Sequence, residues 1–229
     1  MGTRLRAEAA GRKKTSVKPR RRSLDGWFRP LSHELGNLLA AIRLAGHLLA
    51  GHLPARDRAL LSVEVERLSA HAAALLSLTR LLRKPGDLVA VSPRELLAAL
   101  RRSVSDCVPE GVKLTIVAGR GCPDLSADPD AVHHLLQATV LSAIGAVGDG
   151  GRVRVSVGAQ GRRVRFSVVD DGPRLVPADL GSRTPRGRAL VADLVDTVLR
   201  NCGGRLELGK PRRGAHLDLW MPAARARRS

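Results

Sequence analysis

A histidine, a glutamate and an asparagine open an apolar stretch of the sequence, "LSHELGNLLAAIRLAGHLL", residues 31–49. His33 carries an imidazole, which titrates near neutral pH and can hold or pass on a proton. Glu34 places a carboxylate beside it, and Asn37 adds an amide about one helical turn further on. Two interpretations are open at this point. The three residues are ordinary surface side chains, or His33 is a reactive centre.

The apolar residues around this trio have a helical period. Counted at about 100° per residue, one side of the helix collects Leu35, Leu38, Leu39, Ile42, Gly46 and Leu49. His33 and Asn37 fall roughly opposite that side and next to each other. The pattern therefore predicts that both side chains are exposed.

A second amphipathic helix is predicted from about residue 57 to residue 83, after a break at 51–58 that contains Pro54. Its apolar positions recur every three or four residues: Leu61, Val65, Leu68, Ala72, Leu75, Leu78 and Leu82. Two long helices with a short connection form an antiparallel hairpin. One hairpin cannot bury both apolar seams, so the pattern favours a homodimer with a four-helix bundle.

The pattern of the sequence changes after residue 87, from long amphipathic helices to a mixture of helices and strands. A capped helix beginning at Ser92 is followed by the strand "VKLTIVA", a long helix from residue 128, a hairpin over 151–171, a helix over 187–201 and two final strands. Helices on one face of a mixed sheet give an α+β sandwich. The predicted domains are a disordered basic arm at 1–23, the helical hairpin at 24–84, the sandwich at 90–222 and a basic tail at 223–229.

Composition indicates a soluble protein of the cytoplasm. Only 2% of the residues are aromatic, so the core must be aliphatic. The three cysteines, Cys107, Cys122 and Cys202, are an odd number without metal-ligand spacing, which argues against a disulfide scaffold or a zinc site. No apolar run reaches the roughly 18 residues of a membrane span, so no transmembrane segment is predicted.

The net charge of +18 is concentrated at the two ends of the chain. Residues 1–23 contain nine Lys and Arg against one acidic residue, Glu8, and residues 223–229 contain three Arg. The arm has no hydrophobic period and is predicted to be disordered. It is either a solvated tail with non-specific affinity for polyanions or a contact for nucleic acid or an anionic membrane. The sequence contains no motif for reading DNA bases.

At residues 31–42 the sequence resembles the H-box of bacterial two-component sensor histidine kinases, whose usual form is S-H-E-L-R-N-P-L. Residues 24–222 as a whole resemble the catalytic core of that family, a dimerisation and phosphotransfer hairpin followed by a Bergerat-type ATPase domain. The resemblance implies that His33 carries phosphate on a ring nitrogen. It also implies that Glu34 accepts a proton or holds the ring, and that Asn37 contacts the phosphoryl group or orients water.

The resemblance extends to the N-box of the ATPase domain, with two replacements. In "LLQATVLSAIGAV", Ala138 and Ser142 stand where the family has asparagines. Ser142 replaces the amide that holds Mg²⁺ in the family, and the ion is what neutralises β- and γ-phosphate charge during transfer.

Two glycine-rich boxes are also altered. "DDGPRL" keeps Asp170 and Gly172 of the family's D-x-G-x-G box, and the resemblance implies that Asp170 accepts from the adenine amino group. "GRALVAD" keeps Gly187 of the final G-x-G-L-G-L box. The glycines that are lost have become Arg174, Ala189 and Val191. Side chains obstruct the approach of phosphate to backbone N–H groups, so autophosphorylation from ATP and Mg²⁺ is not predicted.

Four arginines near these boxes have two interpretations: Arg174, Arg183, Arg186 and Arg188 either attract phosphate or form a solvated basic rim. Nucleotide binding without turnover therefore stays open.

Two functions of different classes remain. In the first, the chain is a phosphorelay enzyme whose His33 exchanges phosphate with aspartates of response-regulator receiver domains, either as a phosphotransferase with a vestigial ATP domain or as a weak kinase. In the second, it is a non-catalytic dimeric adaptor that binds receiver domains or nucleic acid through basic surfaces. The intact H-box favours the first. In either case, no sensor domain is recognisable, so a partner, an upstream kinase or a separate sensor is expected to supply the signal.

Overall fold

The computed structural model describes residues 34–46 without 39, 43 and 45, and residues 54–83, 86–148, 150–175, 187–209 and 211–224. The predicted basic arm, His33 and the last five residues of the basic tail lie outside these ranges. Leu39, Leu49, Arg183 and Arg186, on which the sequence also placed expectations, are outside them as well.

The described elements alternate between helices and strands after one long helix. In chain order they are α1 (Ala55–Arg83), β1 (Val89–Val91), α2 (Pro93–Val104), β2 (Val112–Ala118), β3 (Leu125–Ala127), α3 (Pro129–Val147), β4 (Gly151–Gln160), β5 (Arg163–Asp170), α4 (Gly187–Asn201), β6 (Arg205–Leu208) and β7 (Ala215–Pro222). Residues 34–38, 40–42, 44 and 46 are also helical and are called the N-terminal helical segment here. None of the helices in the described ranges combines the length and apolar character needed to cross a bilayer.

Five strands form one mixed sheet in the order β2-β4-β5-β7-β6. β2 pairs with β4 in parallel, with Val112 opposite Gly151, and the other neighbours are antiparallel. The predicted hairpin of β4 and β5 is confirmed, with Gln160 opposite Arg163 at the turn. A second, two-stranded sheet of β1 and β3 was not predicted, because strands of three residues leave almost no periodic pattern.

Two helices begin at side-chain caps, and the first of these, Ser92, was predicted from the sequence. The Ser92 hydroxyl accepts from the Glu95 N–H at 3.4 Å, and Pro93 follows at the first helical position. The Asp128 carboxylate accepts from the N–H groups of Asp130 and Ala131 at the start of α3. Such caps satisfy N–H groups that have no partner within the helix. They fix where α2 and α3 start beneath the sheet.

The core lies between the sheet and the helices. Alternate residues of the central strands point into it, among them Val153, Val155, Phe166, Val168 and Leu219, all with no exposed surface. The intervening residues of β4, including Arg152 and Arg154, are exposed on the opposite face. The period of two in "RVRVSV" therefore gives the sheet one apolar and one basic face. The described part of the chain has the predicted α+β architecture with a Bergerat-type sheet and helix layer.

Helix α1 packs against α3 and α4 and joins the same core. Its predicted seam is buried at Leu68, Ala72, Leu75 and Leu78. We expected a hairpin partner and a second chain to cover this seam. The structure instead packs part of it on the α+β layer, where Gly145 leaves room for a long side chain. A Cβ at position 145 would lie 2.5 Å from Nη1 of Arg67.

Candidate functional site

The N-terminal helical segment presents two members of the predicted phosphotransfer trio. Asn37 is exposed and Glu34 is partly exposed, whereas Leu38 is buried at 9% exposure. Leu35 and Ile42 pack against the core. The predicted apolar side is thus confirmed at Leu35, Leu38 and Ile42, whereas Gly46, predicted on the same side, is exposed. His33 itself lies outside the described residues.

Asp170 ends β5 at the position where the sequence predicted nucleotide recognition. Its side chain is completely buried. The Oδ1 atom accepts from the Gly172 N–H at 3.0 Å and from the Ala215 N–H at 3.4 Å. The Oδ2 atom is paired with the guanidinium of Arg188. Both carboxylate oxygens therefore have donors within the chain.

Arg188 reaches Asp170 from the first turn of α4. Its Nη2 atom donates to Asp170, and its Nη1 atom donates to the Pro173 carbonyl oxygen at 2.9 Å. The side chain is only 18% exposed. A cation at a helix N-terminus is unfavourable, since the backbone N–H groups there already carry partial positive charge. The carboxylate of Asp170 offsets that cost and holds the guanidinium in place.

The space around this ion pair is almost filled. Thr139, Ser142, Leu175, Val191 and Leu217 line it together with Arg188, and its volume is about 10 Å³. A volume of about 10–15 Å³ holds a single water molecule, whereas small-molecule sites occupy roughly 300–1,000 Å³. This cavity, as the described residues line it, is therefore too small for a nucleotide.

Ala138 and Ser142, the two replaced N-box positions, differ in their surroundings. Ala138 has no exposed surface, so its methyl group is a core contact. Ser142 is partly buried and lines the small cavity. Across the described ranges, no group of three or more His, Cys, Asp or Glu side chains is placed to hold a metal ion.

Gly172, one of the two retained glycines, has a packing role that the sequence did not reveal, whereas a Cβ at the other, Gly187, would have no atom within 4 Å. A Cβ at Gly172 would lie 2.7 Å from the Ala146 carbonyl oxygen at the end of α3. Gly214, which we did not single out, has φ +74°, and a Cβ there would overlap the Asp170 carbonyl oxygen. Gly172 and Gly214 both bring backbone close to Asp170, so their presence does not require a bound phosphate.

The role of Arg188 is the functional feature that sequence reasoning missed. We grouped it with three other arginines as a phosphate-attracting or solvated residue, but it is a buried partner of Asp170. Of the other three, Arg174 is exposed, and Arg183 and Arg186 are outside the described ranges. The sequence did contain a signal for this ion pair. Arg188 is a basic residue next to Gly187, in a box that otherwise binds anions, and the buried Asp170 is its acidic counterpart.

Comparisons with known proteins agree with this architecture. Residues 127–225 match the family model of histidine kinase-, DNA gyrase B- and HSP90-like ATPases. The sensor histidine kinase ZraS of Escherichia coli O157:H7 is 28% identical over 208 residues, which cover 84% of this chain and 44% of ZraS. Over most of its length the chain is thus similar to a sensor histidine kinase, and residues 127–225 match the ATPase family model. It spans less than half the length of this curated relative.

Solved structures of histidine kinases have the same fold. Acinetobacter baumannii AdeS superposes with a TM-score of 0.57 at 15% identity, over 84% of this chain and 98% of AdeS. Histidine kinase ThkA in complex with the response regulator protein TrrA gives 0.55 at 15% identity, over 84% of this chain and 60% of ThkA. Residues from 90 onwards are too few to account for 84% of the chain, so both likenesses include part of the first 89 residues.

Proposed function

We propose that this histidine kinase relative is a phosphotransfer protein that carries phosphate on His33 and exchanges it with the aspartate of a receiver domain. The observation that carries the proposal is the Arg188–Asp170 ion pair beside a cavity of only about 10 Å³, at the position where the resemblance implies nucleotide recognition. We therefore assign the phosphate to a source other than ATP bound to the same chain. The H-box residues remain available for exchange with a partner.

The chemistry of this exchange needs little from the chain itself. A neutral ring nitrogen of His33 attacks the acyl phosphate of the partner, so the P–N bond forms as the P–O bond to the aspartate breaks. The aspartate carboxylate leaves, and Glu34 takes the proton that the imidazolium must lose. Asn37, exposed one turn away, donates from its amide to a phosphoryl oxygen. The reverse transfer regenerates the acyl phosphate.

Two findings support a receiver domain as the partner. ThkA, whose fold this chain shares, is solved in complex with a response regulator protein. The described surface around Asn37 is also exposed rather than packed against the α+β layer. Because the chain covers 44% of ZraS, the input signal and the sensor are assigned here to a separate segment or partner.

The predicted hairpin and homodimer belong to the same proposal. Three leucines of the N-terminal helical segment and α1 keep much of their surface in one chain: Leu44 at 63%, Leu60 at 50% and Leu76 at 44% exposure. Burying these leucines against a second copy would remove apolar surface from water. Light scattering at micromolar concentration should therefore give the mass of a dimer, and a monomeric mass would contradict this part of the proposal.

The exchange is tested by incubating the chain with a receiver domain phosphorylated by a small-molecule phosphodonor. We expect acid-labile, base-stable phosphate to appear on the chain and to map to His33. A chain that stays unlabelled while the receiver loses its phosphate at the spontaneous rate would refute the proposed function.

A further inference from the structure

The face of the sheet turned away from the helices carries a dense set of basic side chains. We call it the basic sheet face, and its cations are Lys113, Arg152, Arg154, Arg163, Arg165 and Arg205. Lys113 and Arg152 are opposite each other across β2 and β4. Arg154 follows two residues later, about 7 Å along the strand. The registers therefore bring these cations together on one surface.

Most of this charge is not neutralised within the described chain. Among the described residues, two acids share the face, Asp218 and Glu207, which contact Arg165 at 3.8 Å and Arg205 at 2.8 Å. The side chains of Lys113, Arg152 and Arg154 are exposed and have no ion pair among the described residues. Such a cluster of like charges attracts anions and is costly to leave unscreened.

The same face offers little apolar surface to a protein partner. Among its described residues, the large aromatic Trp220 is 6% exposed, and the exposed large hydrophobic residue is Val117 at 40%. The guanidinium groups of Arg165 and Arg205 lie over the Trp220 ring at 5.5 and 5.4 Å. Protein interfaces derive most of their affinity from buried aromatic and aliphatic residues, and single-stranded nucleic acid is bound by stacking on exposed rings. A single valine is a small anchor for a protein, and no exposed ring is described on this face.

We propose that the basic sheet face binds double-stranded nucleic acid through its phosphates, without preference for base sequence. Binding to a duplex backbone requires cations and hydroxyl or amide donors, and no exposed ring. Thr115 and Ser156, which alternate with the cations on the same face, supply hydroxyl donors. The proposal is independent of phosphate transfer on His33, because it uses the opposite face of the sheet from the Asp170 site.

The test measures binding of the full chain to fluorescent duplexes of two unrelated sequences, by anisotropy, between about 50 and 200 mM salt. The variant Lys113→Gln/Arg152→Gln/Arg154→Gln removes three cations from the face. We expect it to bind both duplexes more weakly and to lower the slope of log affinity against log salt by roughly 2.7, or about 0.9 per phosphate contact. The charge-conserving variant Arg152→Lys/Arg154→Lys should keep most of the slope.

A matched control removes three exposed arginines from the helices, as Arg94→Gln/Arg102→Gln/Arg200→Gln. It changes the net charge by the same amount and should leave the slope nearly unchanged. An equal loss of slope in the control would mean that binding depends only on the total charge. An unchanged slope in the face variant would assign binding to other regions, such as the basic arm. An unphosphorylated receiver domain could displace the duplex from the wild-type chain and not from the face variant. That result would assign the face to an acidic protein. Each of these results overturns the proposal. Circular dichroism confirms that both triple variants are folded.

Discussion

The two regions that resemble active parts of a histidine kinase have opposite surroundings in this chain. Around Asn37 the polar side chain faces solvent and the apolar residues next to it pack inward. Around Asp170 the carboxylate is buried, and it accepts from Arg188 and from the N–H groups of Gly172 and Ala215. One region is exposed to solvent, and the other is buried among donors of the chain. The comparison shows that keeping a motif residue does not mean keeping its ligand.

Electrostatics explains why the second region is stable without a nucleotide. A buried carboxylate is costly unless it is paired and hydrogen-bonded. In a nucleotide-binding relative the ligand would supply part of that pairing, whereas here Arg188 does so from the same chain. The Arg188 guanidinium lies at the start of α4, and its charge is already balanced by the Asp170 carboxylate instead of by phosphate oxygens. A competing ligand would have to displace an internal partner.

The largest effect is expected at His33. Replacing it as His33→Gln should abolish phosphate exchange with a receiver domain, because the glutamine amide has no nucleophilic nitrogen lone pair. Far-ultraviolet circular dichroism should be unchanged. The matched control His47→Gln, a histidine of the same sequence stretch, should exchange at the wild-type rate. Residual labelling of His33→Gln above background would place the phosphate elsewhere.

The next largest effect is expected on stability, at the buried ion pair. Arg188→Met leaves the Asp170 carboxylate buried without its cation and should lower the free energy of unfolding by about 3 kcal/mol in urea titrations. The control Arg200→Met removes a cation that is 58% exposed in its pair with Asp196, so it should cost less than about 1 kcal/mol. Equal losses in the two variants would show that Arg188 is not the counterion of Asp170.

The architecture was predictable from the sequence because it rests on strong local patterns. The period of β4 and β5, the caps at Ser92 and Asp128, and the length of α4 each have a physical signature within a few residues. The packing of α1 on α3 has none, since it depends on Gly145 meeting Arg67 across more than seventy residues of sequence. The pairing of Arg188 with Asp170 is likewise a contact between distant residues.

The candidate site was predictable only as a set of replacements. Sequence patterns identified which family residues are missing at positions 138, 142, 174, 189 and 191. They did not show what fills the space that those residues leave. A basic side chain in an anion-binding box is ambiguous, because it attracts phosphate in an open site and replaces it in a closed one. Only the burial and hydrogen bonds of Arg188 decide between the two.

A smaller effect concerns pH and the packing of α1. Burial, together with the nearby Arg67 cation, lowers the pKa of His71 from its ordinary 6.5 to about 4, and its Nε2 atom has no hydrogen-bond partner. The folded state therefore keeps His71 neutral, while the unfolded chain takes up a proton below pH 6.5. The resulting stability is fully present above about pH 6.5 and falls as the pH decreases toward 4.

We expect His71 to account for about 2 kcal/mol of lost unfolding free energy between pH 7.5 and pH 5. Urea titrations at the two pH values should show this difference in the wild type and not in His71→Leu. The comparison variant His134→Leu, altered at a half-buried histidine of α3, should keep it. A pH dependence that persists in His71→Leu would contradict the assignment.

The smallest effect is expected at the contact between α1 and α3. Gly145→Leu places a side chain where the Arg67 guanidinium lies, and it should destabilise the chain by about 1 kcal/mol through overpacking. Adding Arg67→Ala makes room for the new side chain. In a double-mutant cycle, the double variant should therefore lose less free energy of unfolding than the two single variants lose together. Strict additivity would indicate that the two residues do not touch.

The central claim, that His33 receives its phosphate from outside the chain's own nucleotide site, is tested by changing only the phosphate source. The wild-type chain is incubated in parallel with γ-labelled ATP and Mg²⁺, and with a receiver domain carrying the same label on its aspartate. We predict acid-labile label on His33 from the receiver and none from ATP. Labelling of His33 by ATP alone, abolished in Asp170→Asn while that variant still accepts phosphate from the receiver, would show that the nucleotide site is functional and would contradict the account.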